Sequence, residues 1–292
     1  MRRHIPELPQ YQQPITIRQL LHHTSGLRDY IGMLTLAGAS TEGHTTPQQA
    51  LAAIVRQKAL NFEPGADFLY SNSGYFLLSQ IVERVSGKTM RAFAQENIFA
   101  PLGMTSTHIH DKHRMTVPNR AIGYAPKATG YRVAMSKWEQ TGDGAVHTTV
   151  EDLLLWDRNF NTPKVGGQEM LSALHTTDTL KNGRAITYAR GLQTEKFRGL
   201  EAVSHGGAWA GFRAELIRFP QQHFSVATLC NVASANPSAL ARAVAAIYLE
   251  DELAAVPQAT HPTQSTADSA RVAVPVAELQ PWVAIHAGCA GA

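Results

Sequence analysis

Tyr70-Ser71-Asn72 sets a phenol and a carboxamide two residues apart where a loop beginning Phe62-Glu63-Pro64-Gly65 meets an apolar helical stretch. A phenol can pass protons, but its ordinary pKa of about 10 makes it a poor base at neutral pH unless a nearby cation favours the phenolate. Base chemistry therefore requires a second charged group. The Asn72 amide is both donor and acceptor, which suits it to orient a neighbouring lysine and a substrate carbonyl together. The same triplet in isolation also fits a core tyrosine followed by a helix cap. Far along the chain, His205-Gly206-Gly207 follows Glu201-Ala202-Val203-Ser204. An imidazole there can donate to a carboxylate or a carbonyl and is ionised only in part near neutrality. A histidine before two glycines is also what a strand ending in a bulge would show.

The elements that must position these groups have recognisable starts. Thr16 can cap a short helix that ends near Ser25-Gly26. Thr46 before Pro47 is an N-cap with proline at the first helical position, and Ala50, Leu51, Ile54 and Val55 recur on one face. Residues 72 to 86 place Tyr75, Phe76, Leu78, Ile81, Val82 and Val85 at helical spacing, and Gly87 suits the left-handed C-terminal position. A helix from about Thr89 to Ile98 is expected to stop before Pro101. Residues 105 to 148 are loop-rich, and Thr149 with Asp152 three residues on opens a helix through Leu153, Leu154, Trp156 and Phe160.

From about residue 186 the period changes. Stretches near 186 to 197, 201 to 205, 210 to 219 and 223 to 231 are rich in β-branched and aromatic residues and predict antiparallel strands. A helix from about Pro237 to Glu250 closes them, and Ala254 to Ala270 has the composition of a linker. The fold class is α+β: residues from about 15 to 160 mainly helical, strands and a closing helix from about 186 to 252, and a cleft between the two parts.

With 44% hydrophobic and 17% charged residues, a chain of 292 can bury a sizeable core. Its 26 basic and 23 acidic side chains form no like-charge block, which argues against a nucleic-acid partner. No apolar run is long enough for a membrane span, and Met1-Arg2-Arg3-His4 leads into Pro6 and Pro9, so no signal peptide is visible. Two cysteines, Cys230 in an expected buried strand and Cys289, make neither a disulfide framework nor a metal cluster.

The run from Phe62 through Tyr70-Ser71-Asn72 to Tyr75, then Ile81 to Gly87 and Phe99 to Met104, resembles the serine β-lactamase and penicillin-binding-protein family, in its class C, esterase and D-aminopeptidase-like branch. Leu20-Leu21-His22-His23-Thr24-Ser25-Gly26-Leu27 resembles the stretch between that family's first and second motifs, and the likeness spans about residues 5 to 250. The resemblance implies a β-lactamase/transpeptidase-like fold, a helical subdomain with an antiparallel sheet flanked by helices. It makes Tyr70, Asn72 and His205 catalytic, and Gly206, Gly207 and Ala208 substrate-binding. A side chain at the glycines would block a substrate backbone approaching the strand edge, and the Ala208 N–H would supply half an oxyanion hole. His205 stands where β-lactamases have lysine, which leans toward esterase or peptidase activity over β-lactam hydrolysis. The implied substrate is a small molecule or peptide, no cofactor is expected, and the implied compartment is periplasmic or secreted.

The family's nucleophile is a serine with a lysine three residues on, and no serine here has one. Losing the nucleophile of a serine hydrolase costs about 10⁶-fold in turnover. The expectation is a 1–254 domain lacking its N-terminal strands and nucleophile helix, followed in 255–292 by a linker and the shortened start of an accessory domain, from the likeness of Val274 to Trp282. Such a chain would be inactive alone, with Leu78, Ile81 and the strand at 223 to 231 left open to solvent. Two other possibilities stand beside it: a non-catalytic ligand-binding pseudoenzyme, and a zinc hydrolase using His108, His110 and His113, whose spacing is close to His-x-His-x-Asp-His with the aspartate one place early.

Overall fold

Thr16 Oγ1 accepts the N–H of Gln19 while the Gln19 side chain accepts the N–H of Thr16, and this capping box opens α1 (Ile17–Leu21). The structure, a computed structural model, describes residues 1–255. After α1 come α2 (Tyr30–Leu36), β1 (His44–Thr45) and α3 (Pro47–Val55), whose Thr46-Pro47 start is a second capping box. Next is α4 (Asn72–Ser86), ended by Gly87 at φ 69° as its spacing predicts. Helix α1 stops four residues short of Ser25, because His23 turns to φ 54° and leaves the helical region.

The helix expected to end before Pro101 runs on through it. α5 (Met90–Ala94) passes into a π-helical turn, Gln95–Phe99, and then α6 (Ala100–Leu102), which Gly103 ends at φ 76°. The proline ring clashes with the preceding turn of a regular helix, and the wider turn relieves that clash. Between residues 105 and 148 the loop is pinned by short strands: β2 (His108–Ile109), β3 (Tyr124–Pro126), β4 (Tyr131–Val133), β5 (Lys137–Trp138) and β6 (Val146–His147). β2 pairs with β6, β3 with β4, and β1 with β5. α7 (Val150–Asn161) starts at the Thr149 cap, and α8 (Gly167–Leu174) follows without a side-chain cap bond.

The sheet is an antiparallel meander of β7 (Gln193–Phe197), β8 (Leu200–Trp209), β9 (Phe212–Phe219) and β10 (Phe224–Cys230), closed by α9 (Pro237–Tyr248). The pairing of β8 with β9 runs unbroken from Val203↔Arg218 to Trp209↔Phe212, so His205-Gly206-Gly207 lies in a regular strand and not in a bulge. β7 pairs with β8 only as far as Gln193↔Ser204. Among the described residues, the edge of β8 from His205 to Trp209 that faces away from β9 therefore carries no strand.

Three apolar clusters hold these elements. Ile5, Leu20, Tyr30, Ile54, Phe76, Leu77, Ile81 and Trp138 form the helical core, with Leu78 packed against it. Ile81 is 8% exposed and packs with the N-terminal segment and α1 to α3, while Leu229 of β10 remains 42% exposed. Phe219, Ile217, Val226, Ala241 and Ala245 join the sheet to α9, and Cys230 ends β10 half-buried. Phe99, Leu102, Met104 and Ile109 tie the π-turn to β2. The linker beyond Ala255, Val274 to Trp282 and Cys289 lie outside the described residues.

Candidate active site

Tyr70 and Asn72 flank Ser71, the N-cap of α4, whose side chain makes no cap bond. The turn is held from outside. Asp29 Oδ2 accepts both the backbone N–H of Asn72 at 2.6 Å and its Nδ2 at 2.7 Å, while Asp29 Oδ1 caps α2 by accepting the N–H of Gly32. Asn72 is thus the first residue of α4, not its cap, and its amide orientation is set because the carboxylate can only accept. Its Oδ1 and second amide proton remain for a ligand.

Across from this turn, His205 sits on β8. Its ring lies 6.3 Å from that of Tyr70, between centroids. His205 Nδ1 is 2.7 Å from Gly206 O and its Nε2 is 3.0 Å from Tyr188 Oη. A carbonyl only accepts, so Nδ1 carries the proton in the neutral ring and Nε2 accepts the Tyr188 hydroxyl. Gly206, Gly207 and Ala208 are exposed along the open edge. The two-residue turn at Ala210-Gly211 makes Trp209↔Phe212 the closing pair, and the alternation of an antiparallel ladder then directs the Ala208 N–H away from β9. The structure places Tyr70 at the α4 turn against His205 of β8, with Asn72 two residues along that turn and Gly206, Gly207 and Ala208 following His205 along the open edge.

Gly206 has a second constraint that the sequence does not show. A Cβ there would lie 2.8 Å from Glu215 Oε2, and Glu215 is buried and paired through Oε1 with Arg242 at 3.1 Å. Gly207 would meet only Ala214 Cβ, at 3.5 Å.

Four further groups shape this face. His23 is buried, with its ring centroid 4.1 Å from Tyr70, 4.6 Å from Tyr188 and 5.1 Å from Tyr75. Burial lowers its pKa to about 4, helped by the charge of His205. Tyr188, 4% exposed, links His205 to this aromatic cluster, and burial pushes its phenol up. Tyr75 donates to Leu21 O at 2.9 Å. Asp143 accepts the Tyr30 hydroxyl at 2.7 Å and is pushed up to about 7 by burial. Burial, then the Asp143 and Asp29 carboxylates, raise the Tyr70 phenol above its ordinary value. His22-His23 and Tyr75 sat inside motif stretches, but Tyr188 and Asp143 carried no periodicity or spacing signal.

The zinc set His108, His110 and His113 does not assemble. His113 Nδ1 lies 2.7 Å from Glu139 Oε1, with His44 Nε2 3.3 Å from Oε2, whereas His108 and His110 gather with His147. The chain turns over Lys112 to Met115, where the Met115 N–H donates to Lys112 O, and the His113 N–H and ring are both held by Glu139, so spacing in sequence did not become proximity.

The Beta-lactamase family profile matches residues 1–249 of the chain. The chain belongs to the β-lactamase family. Its fold is the β-lactamase/transpeptidase-like α+β arrangement. The octameric penicillin-binding protein homologue from Pyrococcus abyssi superposes with a TM-score of 0.71 at 24% identity, over 83% of this chain and 57% of that one. The D-stereospecific amidohydrolase from Streptomyces sp. also gives 0.71, at 20% identity, over 84% and 76%. A D-aminopeptidase of Gluconobacter oxydans is 30% identical over 241 residues, 82% of this chain and 46% of the relative. This β-lactamase-family chain spans about half the length of the D-aminopeptidases it matches. Among the described residues, no helix is long and apolar enough to cross a membrane.

Proposed function

We propose that this chain supplies the proton-handling and substrate-binding walls of a β-lactamase-related serine hydrolase acting through an acyl-enzyme on D-amino-acid amides or peptides, or on esters, in preference to β-lactams. The observation that carries this is Tyr70 facing His205 beside the open edge of β8. A substrate backbone laid along that edge would offer its carbonyl oxygen to the Ala208 N–H. The free donor and acceptor of Asn72 would orient the acyl group. His205 would turn its Nδ1 proton from Gly206 O to the substrate, while Tyr188 keeps the ring in place. The names of the Gluconobacter and Streptomyces relatives support the D-amino-acid substrate class.

Burial, with the Asp143 and Asp29 carboxylates, raises the Tyr70 phenol, so it is protonated at neutral pH. In that state it can give a proton to a leaving amine, but it needs a cation before it can take one from a nucleophile. No serine in the sequence has a lysine three residues later. On this reading residues 1–292 supply the walls of the site without a Ser-x-x-Lys nucleophile, and they are expected to show no turnover alone.

The test is incubation of the purified chain with a fluorophosphonate probe and, separately, a D-phenylalanine amide. The expected result is no covalent label and no hydrolysis, with amide binding weakened by Tyr70→Phe and His205→Ala. Stoichiometric labelling of a serine within the chain, or binding indifferent to both substitutions, overturns the proposal. The protonated Tyr70 also suits a ligand-binding protein without chemistry. Expression together with the coding sequence upstream of Met1 separates the two: hydrolysis supports the enzyme, and binding without hydrolysis supports the pseudoenzyme.

A further inference from the structure

His108 and His110 stand two residues apart on and just after β2, and alternate residues of a strand project from one face. His108 lies directly opposite His147 of β6, and the ladder continues as the His110 N–H donates to Ala145 O at 2.7 Å. The period of two and the register together put three imidazoles on one face of a two-stranded ribbon. His110 and His147 stack at 4.2 Å with planes 8° apart, so one of these rings must turn about its Cβ–Cγ bond before both in-plane lone pairs reach one ion, and His108 meets His147 at 5.1 Å between centroids. One ring nitrogen from each residue lies within 4.8 Å of the others.

Those separations match a metal centre. A tetrahedral zinc with Zn–N distances of about 2.0–2.1 Å sets its ligand nitrogens roughly 3.3–3.4 Å apart. His108 Nε2 and His110 Nδ1 are 3.3 Å apart. His110 is 5% exposed, and its Nδ1 faces His108 Nε2 at a separation that a ring-to-ring hydrogen bond also accepts.

The neighbouring charges decide what completes the site. Arg91 and Arg120 are the cations acting on the cluster, and Arg91 is matched by Asp111 Oδ1 at 2.7 Å. Arg120 makes hydroxide or a carboxylate the favoured fourth ligand. The other cluster differs. In His44, His113 and Glu139 the carboxylate already takes Nε2 of one ring and Nδ1 of the other.

We infer that His108, His110 and His147 form a zinc site that clips β2 to β6. Asp143, which accepts the Tyr30 hydroxyl, lies four residues before His147. The metal would therefore also stiffen the segment that reaches the candidate active site. The inference is independent of the proposed hydrolysis.

Metal-stripped chain is titrated with Zn²⁺ alone, read by competition with a chromophoric chelator, and with Co²⁺, read by visible absorption. One zinc per chain and a tetrahedral cobalt spectrum are expected. His108→Gln and His147→Gln should each lose at least the roughly 10- to 100-fold in affinity that loss of an outer-shell partner costs, while Glu139→Gln keeps wild-type affinity. No zinc uptake, uptake unchanged in His147→Gln, or uptake lost in Glu139→Gln overturns the site. Where the histidine variants fail to fold by circular dichroism, X-ray absorption on the zinc-loaded wild-type chain decides. Three imidazoles support the assignment, and two imidazoles with a carboxylate overturn it.

Discussion

The Nδ1 of His23 accepts the backbone N–H of Ser71 at 3.1 Å, tying the turn after α1 to the residue between Tyr70 and Asn72. A protonated ring would have to donate at Nδ1 and could not accept, so the turn depends on neutral His23.

That dependence fixes a pH profile. The His23 pKa falls from about 6.5 in the unfolded chain to about 4 in the folded one, through burial among Tyr70, Tyr75 and Tyr188 and the charges of His205 and His22. Between those values the unfolded state binds more protons, so the contribution is complete above pH 6.5 and is lost as pH falls toward 4. It amounts to on the order of 3 kcal/mol. His23→Asn, which tolerates a positive φ, should flatten the stability profile over that window by a similar amount. Urea midpoints measured from pH 7 to 4 in both proteins check it, and equal slopes would count against the role given to His23.

Asp29 serves α2 and Asn72 at once. Asp29→Ala removes a helix cap and orphans two donors to a carboxylate, at a cost of about 2–4 kcal/mol. Asp29→Asn keeps one acceptor and should cost less than half of that. Denaturant unfolding of the two variants gives the ratio directly.

The two glycines of β8 should respond differently to the same methyl group. Gly206→Ala pushes against the buried Glu215 carboxylate and its Arg242 partner, and should destabilise by about 1–3 kcal/mol. Gly207→Ala meets an ordinary contact and should stay within about 0.5 kcal/mol of wild type. Comparable losses at both positions would mean that Glu215 is not the obstacle.

Arg218 of β9 and Asp157 of α7 form a buried ion pair, with the guanidinium 4.1 Å from the Phe160 ring centroid. Arg218→Met leaves the Asp157 charge unpaired and should cost about 3–5 kcal/mol. Adding Asp157→Leu should recover most of that loss. A double-mutant cycle on unfolding free energies measures the recovery.

Much of the helical frame was legible because its signals are local. The Thr46-Pro47 capping box, the Thr149 cap and the left-handed Gly87 each act within a few residues of themselves, and each element starts or stops there. α8 was not legible, since Gly166 opens it without a side-chain cap. Nor was the passage of α5 into α6 past Pro101, where a π-turn absorbs a residue that ordinarily ends a helix.

The sequence by itself determined which side chains could do chemistry: Tyr70 and Asn72 at a helix start, His205 ahead of two glycines on a strand, and no serine with a lysine three residues on. Residue type and spacing left a structural role open for each of the three, and the resemblance to the serine β-lactamase family made them site candidates. Only the tertiary structure decided their environment. Tyr188 reaches His205, Asp29 reaches Asn72 and Glu215 fills the space behind Gly206 through contacts between separate elements. His110 joins His147 and not His113 because the register of β2 on β6 sets distance, and chain spacing does not.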